Sequence, residues 1–479
     1  MKVRTRFAPS PTGFMHIGNL RTALYAYLYA KHNDGTFVLR IEDTDQERYV
    51  EGAVDLIYKT LKESGITHDE GPDKDGGYGP YIQSERKQLY IDYAKKLVEL
   101  GGAYYCFCSK ERLESLTDEN GVRKYDKHCL KLTKEEVEEK LRNGEPYVIR
   151  QNIPSEGESS YDDMVYGTIS VDYSDLEDNI LLKSDGMPTY NFANVIDDHL
   201  MNITHVIRGT EYLSSTPKYN LLYDSFGWER PKYMHLPPIM KDATRKLSKR
   251  YGDANFNDFI EKGYLPEAII NYIALLGWSP KDNTEKLSMS ELIELFDVNG
   301  LNKSPSIFDE NKMKWLNGLH VRELDSEKFY EMSIPYFEKS KVKGKYDYKK
   351  LAKLLQARVE ILSEIPEKVD FLEEYDPCFD TELYFHKKMK CDKDVAKICL
   401  EDAIKVLENV SDADWNNDNL FGVLVALSDG KSYKKTALLW AVRIAITGVM
   451  NTPGGATEMA DVLGKEKTIT RLNEALKRL

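Results

Sequence analysis

Three short stretches of this chain carry residue types whose spacing can do chemistry. The first is Pro9-Ser-Pro-Thr-Gly-Phe-Met-His16-Ile17-Gly18-Asn19. Gly13 and Gly18 let backbone approach a ligand with no Cβ in the way, and the free N–H groups at a helix start favour phosphate. A histidine placed there can donate a hydrogen bond to a phosphoryl oxygen. The same residues also make an ordinary Pro/Gly turn with an incidental surface histidine. The second stretch is Lys246-Leu-Ser-Lys249-Arg250, preceded by Lys241 and Arg245. A flexible basic loop of this kind can close over a triphosphate and neutralise the charge that develops as pyrophosphate leaves. Most basic pentapeptides are solvated surface; the loop gains weight because it follows a His-Ile-Gly-Asn turn and a second sheet half. The third stretch is Cys106-Phe-Cys108 with Tyr125-Asp-Lys-His-Cys129. It offers three thiolates and either Tyr125 or His128 to a metal. Three free cysteines are the alternative reading.

These groups need elements to hold them. Residues 3–8 alternate like a strand, the turn at 9–13 stops it, and residues 20–31 run as a helix rich in Ala, Leu and Tyr. A second strand, 36–41, ends on the acidic Glu42-Asp-Thr-Asp45. Strand, turn, helix, strand is a βαβ unit, which predicts a parallel sheet with a site at the strand ends. Residues from about 86 to 185 change character, with the cysteines, a charged helix near 133–142 and short strand-like runs such as 147–150. They read as an insertion. Strand and helix patterns return over 190–250, with His205-Val-Ile-Arg208 as a buried strand end. From Asn255 the chain is mainly helical, with amphipathic segments near 266–276, 291–296, 348–365 and 395–407. The lysine-rich stretch 339–350 reads either as an inter-domain linker or as a solvated helix end.

Composition narrows the class. At 479 residues the chain exceeds one compact core, and 41% hydrophobic with 30% charged residues fits a folded globular protein. The longest apolar run, 436–450, is interrupted by Arg443 and is too short to span a bilayer. The N-terminal residues contain no apolar signal core, so a cytosolic protein is expected. A net charge of −13 argues against a nonspecific nucleic-acid coater, while local basic patches remain compatible with an RNA enzyme. From Lys431 onward, 9 Lys/Arg face 4 Asp/Glu, so this end is locally basic. Cys378, Cys391 and Cys399 read as ordinary residues of a helical region.

His16-Ile-Gly-Asn19 and Lys246-Leu-Ser-Lys-Arg250 resemble the two signatures of class I aminoacyl-tRNA synthetases. Arg4-Thr-Arg-Phe-Ala-Pro-Ser-Pro-Thr-Gly13, Arg40-Ile-Glu-Asp-Thr-Asp45, the block 185–195, Asp197-Asp-His-Leu-Met201 and Val206-Ile-Arg-Gly-Thr-Glu211 resemble the bacterial glutamyl branch. So do Phe226-Gly-Trp228, Leu265-Pro-Glu-Ala268 and 448–454, so the resemblance covers nearly the whole chain. It departs from the idealised signatures at Asn19, Leu247 and Arg250, and the lysines are kept. The resemblance implies an α/β Rossmann-like catalytic domain with an α+β insertion, followed by an all-α anticodon-binding region. The expected segments are 1–85 and 189–254 for the catalytic domain and 86–188 for the acceptor-binding insertion. A helical stem-contact domain follows at 255–322, then anticodon-binding helices over 323–479, divided near 375.

The implied reaction is ATP-dependent activation of L-glutamate to glutamyl-adenylate, then transfer to the terminal adenosine of tRNA-Glu. His16, Lys246 and Lys249 are the expected catalytic residues, with Gly18, Asn19 and Glu211 joining them around ATP and Mg²⁺. A γ-carboxylate needs a cation in a desolvated pocket, and a guanidinium supplies a bidentate fork. The resemblance places Arg6 and Arg208 there, with Ala8, Ser10, Glu42, Tyr190 and Asn194 around the amino acid. For Arg208 the structural alternative is an ion pair with Asp197 or Asp198. Related glutamyl-queuosine synthetases hold zinc through a Cys-x-Cys and Tyr-x₃-Cys set, which implies Cys106, Cys108, Tyr125 and Cys129 as ligands of a structural zinc; His128 adjoins Cys129 and would be cramped. Arg358, Arg443 and Thr452 are the implied anticodon contacts, Arg358 as the selector of tRNA-Glu over tRNA-Gln. A monomer that binds neither membrane nor DNA is expected. The rivals are a glutaminyl-type enzyme, whose anticodon domains are β-barrels, and a non-catalytic tRNA-binding paralogue, which would lose the histidine or the lysines kept here.

Overall fold

The computed structural model describes residues 2–48, 50–117, 124–248 and 255–479. The chain forms two compact units, one made of Met1–Glu261 and Pro266–Glu310, the other of Lys262–Leu265 and Asn311–Leu479.

The first unit opens with β1 (Arg4–Phe7), α1 (Ile17–His32) and β2 (Thr36–Leu39). β1 and β2 pair in parallel, Arg4 opposite Thr36 and Phe7 opposite Leu39, so this is the expected βαβ unit. α2 (Ala53–Glu63) and α3 (Lys87–Glu99) follow. Next come β3 (Ala103–Cys106), α4 (Lys110–Glu114), α5 (Lys134–Arg142), β4 (Val148–Gln151), the hairpin β5 (Glu158–Asp163) and β6 (Gly167–Asp172), and β7 (Ile180–Leu182). β3, β4 and β7 make an antiparallel sheet of their own, whereas the β5–β6 hairpin is hydrogen-bonded into the main sheet through Asp163 and Tyr233.

The chain then returns with α6 (Tyr190–Leu200), β8 (His205–Gly209), α7 (Thr216–Phe226) and β9 (Lys232–Leu236). β8 and β9 pair in parallel from His205 opposite Lys232 to Gly209 opposite Leu236. Immediately before β8, Thr204 N donates to Arg4 O at 3.0 Å, and Arg4 N donates to Thr204 Oγ1 at 2.8 Å. β1 therefore lies between β2 and β8. From β1 the chain crosses over to β2 on one side, and from β8 it crosses over to β9 on the other. The carboxyl ends of β1 and β8 accordingly flank the point where strand order reverses, which is where open parallel sheets leave a crevice for ligands. α6 and α7 cover one face through Phe192, Val195, Ile196, Tyr219, Leu222 and Tyr223, packed with Tyr90 and Leu97 of α3. The unit closes with β10 (Ile239–Met240), α8 (Phe256–Glu261), α9 (Pro266–Leu275), α10 (Met289–Leu295) and β11 (Ser306–Ile307).

The second unit is helical among the described residues: α11 (Glu310–Glu323), α12 (Ser326–Phe337), α13 (Tyr348–Leu355), α14 (Ile365–Val369), α15 (Lys393–Leu407), α16 (Asn417–Ser428), α17 (Lys435–Thr447), α18 (Ala456–Leu463) and α19 (Lys465–Leu476). The apolar run 436–450 is α17, buried on most sides as the central helix of this bundle rather than exposed to lipid. Gly448, at φ 68°, ends it in the left-handed conformation that costs a glycine nothing. The lysine-rich stretch 339–350 is not a linker between the two units; it lies within the second, and its last residues, 348–350, are the start of α13, with Lys349 and Lys350 exposed. It turns between α12 and α13 within this unit, with Val342 fully buried and Lys341, Lys345 and Lys350 paired to Glu374, Glu373 and Asp461. No described helix is long and apolar enough to cross a membrane.

Candidate active site

A cavity of about 780 Å³ opens at the carboxyl ends of β1 and β8. It gathers Arg6, Ala8, Ser10, His16, Gly18, Asn19, Glu42, Tyr190, Arg208, Glu211 and Lys246, residues separated by up to 240 positions in sequence. Asn194 does not line it; that side chain is buried one turn along α6 and donates to Tyr190 O at 2.6 Å. Lys249 lies outside the described residues.

His16 caps α1. Its extended backbone precedes the first helical residue, and Nδ1 accepts the Gly18 amide hydrogen at 3.0 Å. An accepting Nδ1 leaves the proton of the neutral ring on Nε2, where the ring can only donate. Gly18 allows this geometry, because a Cβ there would stand 3.1 Å from His16 Nδ1. Lys246 sits on the return of a tight loop: Lys241 N donates to Arg245 O at 2.8 Å and Leu247 N to Ile239 O at 3.1 Å. Leu247 is buried and anchors the loop, while Lys246 remains exposed on the cavity wall. Arg245 spends its charge locally on Asp242, at 2.7 Å.

Below the cavity lies a buried charge network that links the two acidic motifs. Asp198 accepts from Arg6 Nε at 3.0 Å and from Arg40 Nη1 at 2.8 Å, and Arg40 Nη2 donates to Glu42 at 3.0 Å. Asp197 is held by Arg86, Gln83 and Tyr90 at 2.8, 2.9 and 2.8 Å. Burial raises the Glu42 carboxyl above its ordinary value despite the opposing pull of Arg40 and Arg6. At Asp198 burial also pushes upward, but Arg6 and Arg40 outweigh it and hold the carboxyl low.

Arg208 differs from these cations. It is buried at the end of β8 and forms no ion pair among the described residues. Its Nε donates to His235 Nε2 at 3.1 Å and its Nη2 to Thr216 Oγ1 at 2.7 Å. Tyr212, Tyr219 and Tyr233 surround the guanidinium, with ring centres 4.7–5.4 Å from its carbon. The alternative in which Arg208 pairs with Asp197 or Asp198 is therefore not what the chain adopts: those carboxylates serve Arg6, Arg40 and Arg86. Sequence reasoning missed Arg40, Asp163, His235 and Thr216 as parts of this site. Arg40 and Asp198 each stood in a quoted motif, but a pairing across 158 positions carries no sequence signal.

The three cysteines also converge. Their sulfurs lie within 4.8 Å of one another, and Cys108 Sγ is 3.5 Å from Cys129 Sγ. The Tyr125 hydroxyl is 3.3 Å from Cys106 Sγ and 3.5 Å from Cys108 Sγ. His128 is exposed beside them. Arg150 Nε and Phe107 N donate to Cys106 and Cys129 sulfurs at 3.3 and 3.4 Å. Such N–H donors suit thiolates. In the helical unit, Arg443 Nη1 donates to Thr452 Oγ1 at 3.3 Å and Nη2 to Met450 O at 3.0 Å, over the Trp440 ring. Arg358 is exposed in the turn after α13, bonded to Leu354 O at 2.7 Å, and makes no hydrogen bond to Arg443 or Thr452.

Residues 2–315 match the family described as tRNA synthetases class I (E and Q), catalytic domain, and residues 328–476 match an anticodon binding domain. A glutamate–tRNA ligase of Clostridium acetobutylicum is 57% identical over 482 residues, covering 100% of this chain and 99% of that protein. One from Clostridium botulinum is 56% identical over 482 residues, again covering 100% and 99%. Among solved structures, the glutamate–tRNA synthetase of Elizabethkingia anophelis superposes with a TM-score of 0.88 at 35% identity, with both chains covered completely.

Proposed function

The chain belongs to the class I tRNA synthetases for glutamate and glutamine, and from that premise we infer that it is a glutamate–tRNA ligase, joining L-glutamate to tRNA at the expense of ATP. The observation that carries the choice of glutamate is Arg208. A buried cation without a carboxylate partner, lining the cavity, suits an acidic side chain. An amide side chain would leave that charge uncompensated. The wholly helical character of the described part of the second unit also speaks against the glutaminyl alternative, whose anticodon domains are β-barrels.

The chemistry is positioning and charge stabilisation. In the proposed assignment, Glu42 faces the substrate ammonium, Arg208 takes the γ-carboxylate, and Ala8, Ser10 and Tyr190 shape the space between, with Asn194 supporting Tyr190 from behind. Arg6 contributes positive potential, although Asp198 shares its charge. The glutamate α-carboxylate attacks the α-phosphorus of ATP in line, so a P–O bond forms to the carboxylate and the bond to pyrophosphate breaks. His16 donates from Nε2, and Lys246 with Lys249 neutralises the phosphate oxygens. Gly18, Asn19 and Glu211 frame the nucleotide. Mg²⁺ carried in with ATP supplies further neutralisation when bound. The 2′-hydroxyl of the terminal adenosine then attacks the adenylate carbonyl, releasing AMP. Arg358, Arg443 and Thr452 are assigned to anticodon contacts, Arg358 as the residue that excludes tRNA-Gln. A cytoplasmic monomer acting on tRNA, without membrane or DNA partners, completes the proposal.

The test is aminoacylation with labelled glutamate on tRNA-Glu and tRNA-Gln transcripts, glutamine serving as the control. Charging of tRNA-Glu alone is expected; charging of both would overturn the role of Arg358, and a preference for glutamine would overturn the function. In the same assay His16→Ala should lower the rate of charging by about 10²- to 10³-fold, the scale of a lost transition-state donor.

The cysteine cluster supports a structural zinc. A zinc–sulfur bond of about 2.3 Å places tetrahedral sulfurs roughly 3.8 Å apart, close to the observed Cys108–Cys129 spacing of 3.5 Å. Tyr125, rather than the exposed His128, is the proposed fourth ligand. Zinc here would brace the insertion and take no part in the reaction. Protein purified without chelators should carry one zinc per chain by elemental analysis, and Cys129→Ser should lose it. A metal-free preparation of the unaltered protein would end this assignment.

A further inference from the structure

We infer that Asp163 and His235 form a positioning relay that fixes the guanidinium of Arg208 for an acidic side chain in the cavity. The inference rests on the glutamate reading above and goes beyond it, because neither residue lines the cavity and neither belongs to the signature motifs.

Arg208 Nε can only donate, so the His235 Nε2 it meets at 3.1 Å must accept and carry no hydrogen. The ring hydrogen therefore sits on Nδ1, which lies 2.7 Å from Asp163 Oδ2. Asp163 is itself immobilised. Its Oδ2 also accepts from His235 N at 3.1 Å, and its Oδ1 accepts from Val165 N and Tyr166 N, both at 2.9 Å. Asp163 and His235 are fully or almost fully buried. Thr216 completes the seat: it receives Arg208 Nη2 at 2.7 Å and passes its own hydrogen to Tyr212 O at 2.8 Å. Nε and Nη2 are thereby tied to neutral acceptors, and Nη1 is the nitrogen with no partner among the described residues. The charge of Asp163 is spent on three backbone N–H groups and the imidazole, one bond removed from Arg208. The relay thus orients the guanidinium without placing a competing carboxylate against it, an arrangement in which an outer partner sets the tautomer of the inner one.

Asp163→Asn inverts this polarity. The amide oxygen keeps Val165 N and Tyr166 N, the amide nitrogen donates to His235, and the imidazole must then turn its own N–H toward Arg208. His235→Leu deletes the acceptor, whereas His235→Gln retains an oxygen that can serve as one. Aminoacylation kinetics of the full chain, with tRNA-Glu present, read the result. Asp163→Asn and His235→Leu should each raise the KM for glutamate about tenfold, the scale of a lost hydrogen bond to a charged group. The kcat and the KM for ATP should stay within about twofold, and His235→Gln should recover most of the glutamate affinity. A glutamate KM left unchanged by His235→Leu would overturn the relay while leaving the glutamate reading intact. Equal losses toward glutamate and ATP in all three variants would reduce both residues to a structural role and overturn it as well. Failure of the unaltered protein to charge tRNA with glutamate would instead remove the underlying reading, and the relay with it.

Discussion

Arg208→Ala is expected to lower kcat/KM for glutamate by about 10³-fold, mainly through KM, with the KM for ATP little changed. Truncating one member of a buried, hydrogen-bonded charge pair costs about 2–5 kcal/mol, and each 1.4 kcal/mol is roughly one decade. The upper half of that range applies because the charge of the other guanidinium assigned to glutamate is already committed. Arg6, the other guanidinium assigned to glutamate, is bonded through Nε to both oxygens of Asp198, at 3.0 and 3.2 Å. Arg208 makes no such pair, so its charge is available to the ligand. Arg208→Lys should fall between, because an ammonium keeps the charge but cannot hold His235, Thr216 and a carboxylate together in a planar fork. Steady-state aminoacylation over a wide glutamate range checks this; a loss smaller than tenfold in Arg208→Ala would move the specificity determinant elsewhere.

Asp198→Ala should destabilise the first unit by about 3–5 kcal/mol. Two cations, Arg6 and the fully buried Arg40, share this carboxylate, and removing one partner of a buried pair leaves uncompensated charge in low dielectric. Total stabilities are commonly about 5–15 kcal/mol, so the loss is a large fraction. Equilibrium unfolding in denaturant, compared at equal slope, would measure it, and an unchanged midpoint would show that the network is energetically idle. The pH dependence has a definite sign. The Asp198 carboxyl is held below its ordinary value: burial opposes this, but Arg6 and Arg40 prevail. Its contribution is therefore present above the unfolded value of about 3.9 and is lost as pH falls through the lower folded value. The alanine variant should lack that share of acid sensitivity.

Much of the architecture was legible in local pattern. The alternating residues 4–7, the turn at 9–13 and the apolar helix after His16 announce a βαβ unit because strand and helix periods are set by backbone geometry within a few residues. The long apolar run around α17 read correctly as too short for a membrane span, and the structure shows why it is so apolar: it is enclosed by other helices. Cys106, Cys108 and Cys129 announced themselves by spacing. For the stretch 339–350 the linker reading misled, because a run of lysines records solvent contact and not whether the backbone beneath it is packed.

What the sequence determined by itself was the inventory: a histidine at a helix start, a basic loop, arginines near strand ends and a cysteine set, each a local matter of residue type and turn chemistry. Packing across the sheet, in turn, selected which charges are spent and which are kept. Asp198 stands far closer in sequence to Arg208 than to Arg40 or Arg6, which lie 158 and 192 positions away, yet it neutralises Arg6 and Arg40 and leaves Arg208 to histidine and threonine. That choice depends on strand order, since placing β1 beside β8 brings positions about 200 residues apart into contact. In a buried site, where a charge must find a partner, the fold determines whether that partner is the protein or its substrate.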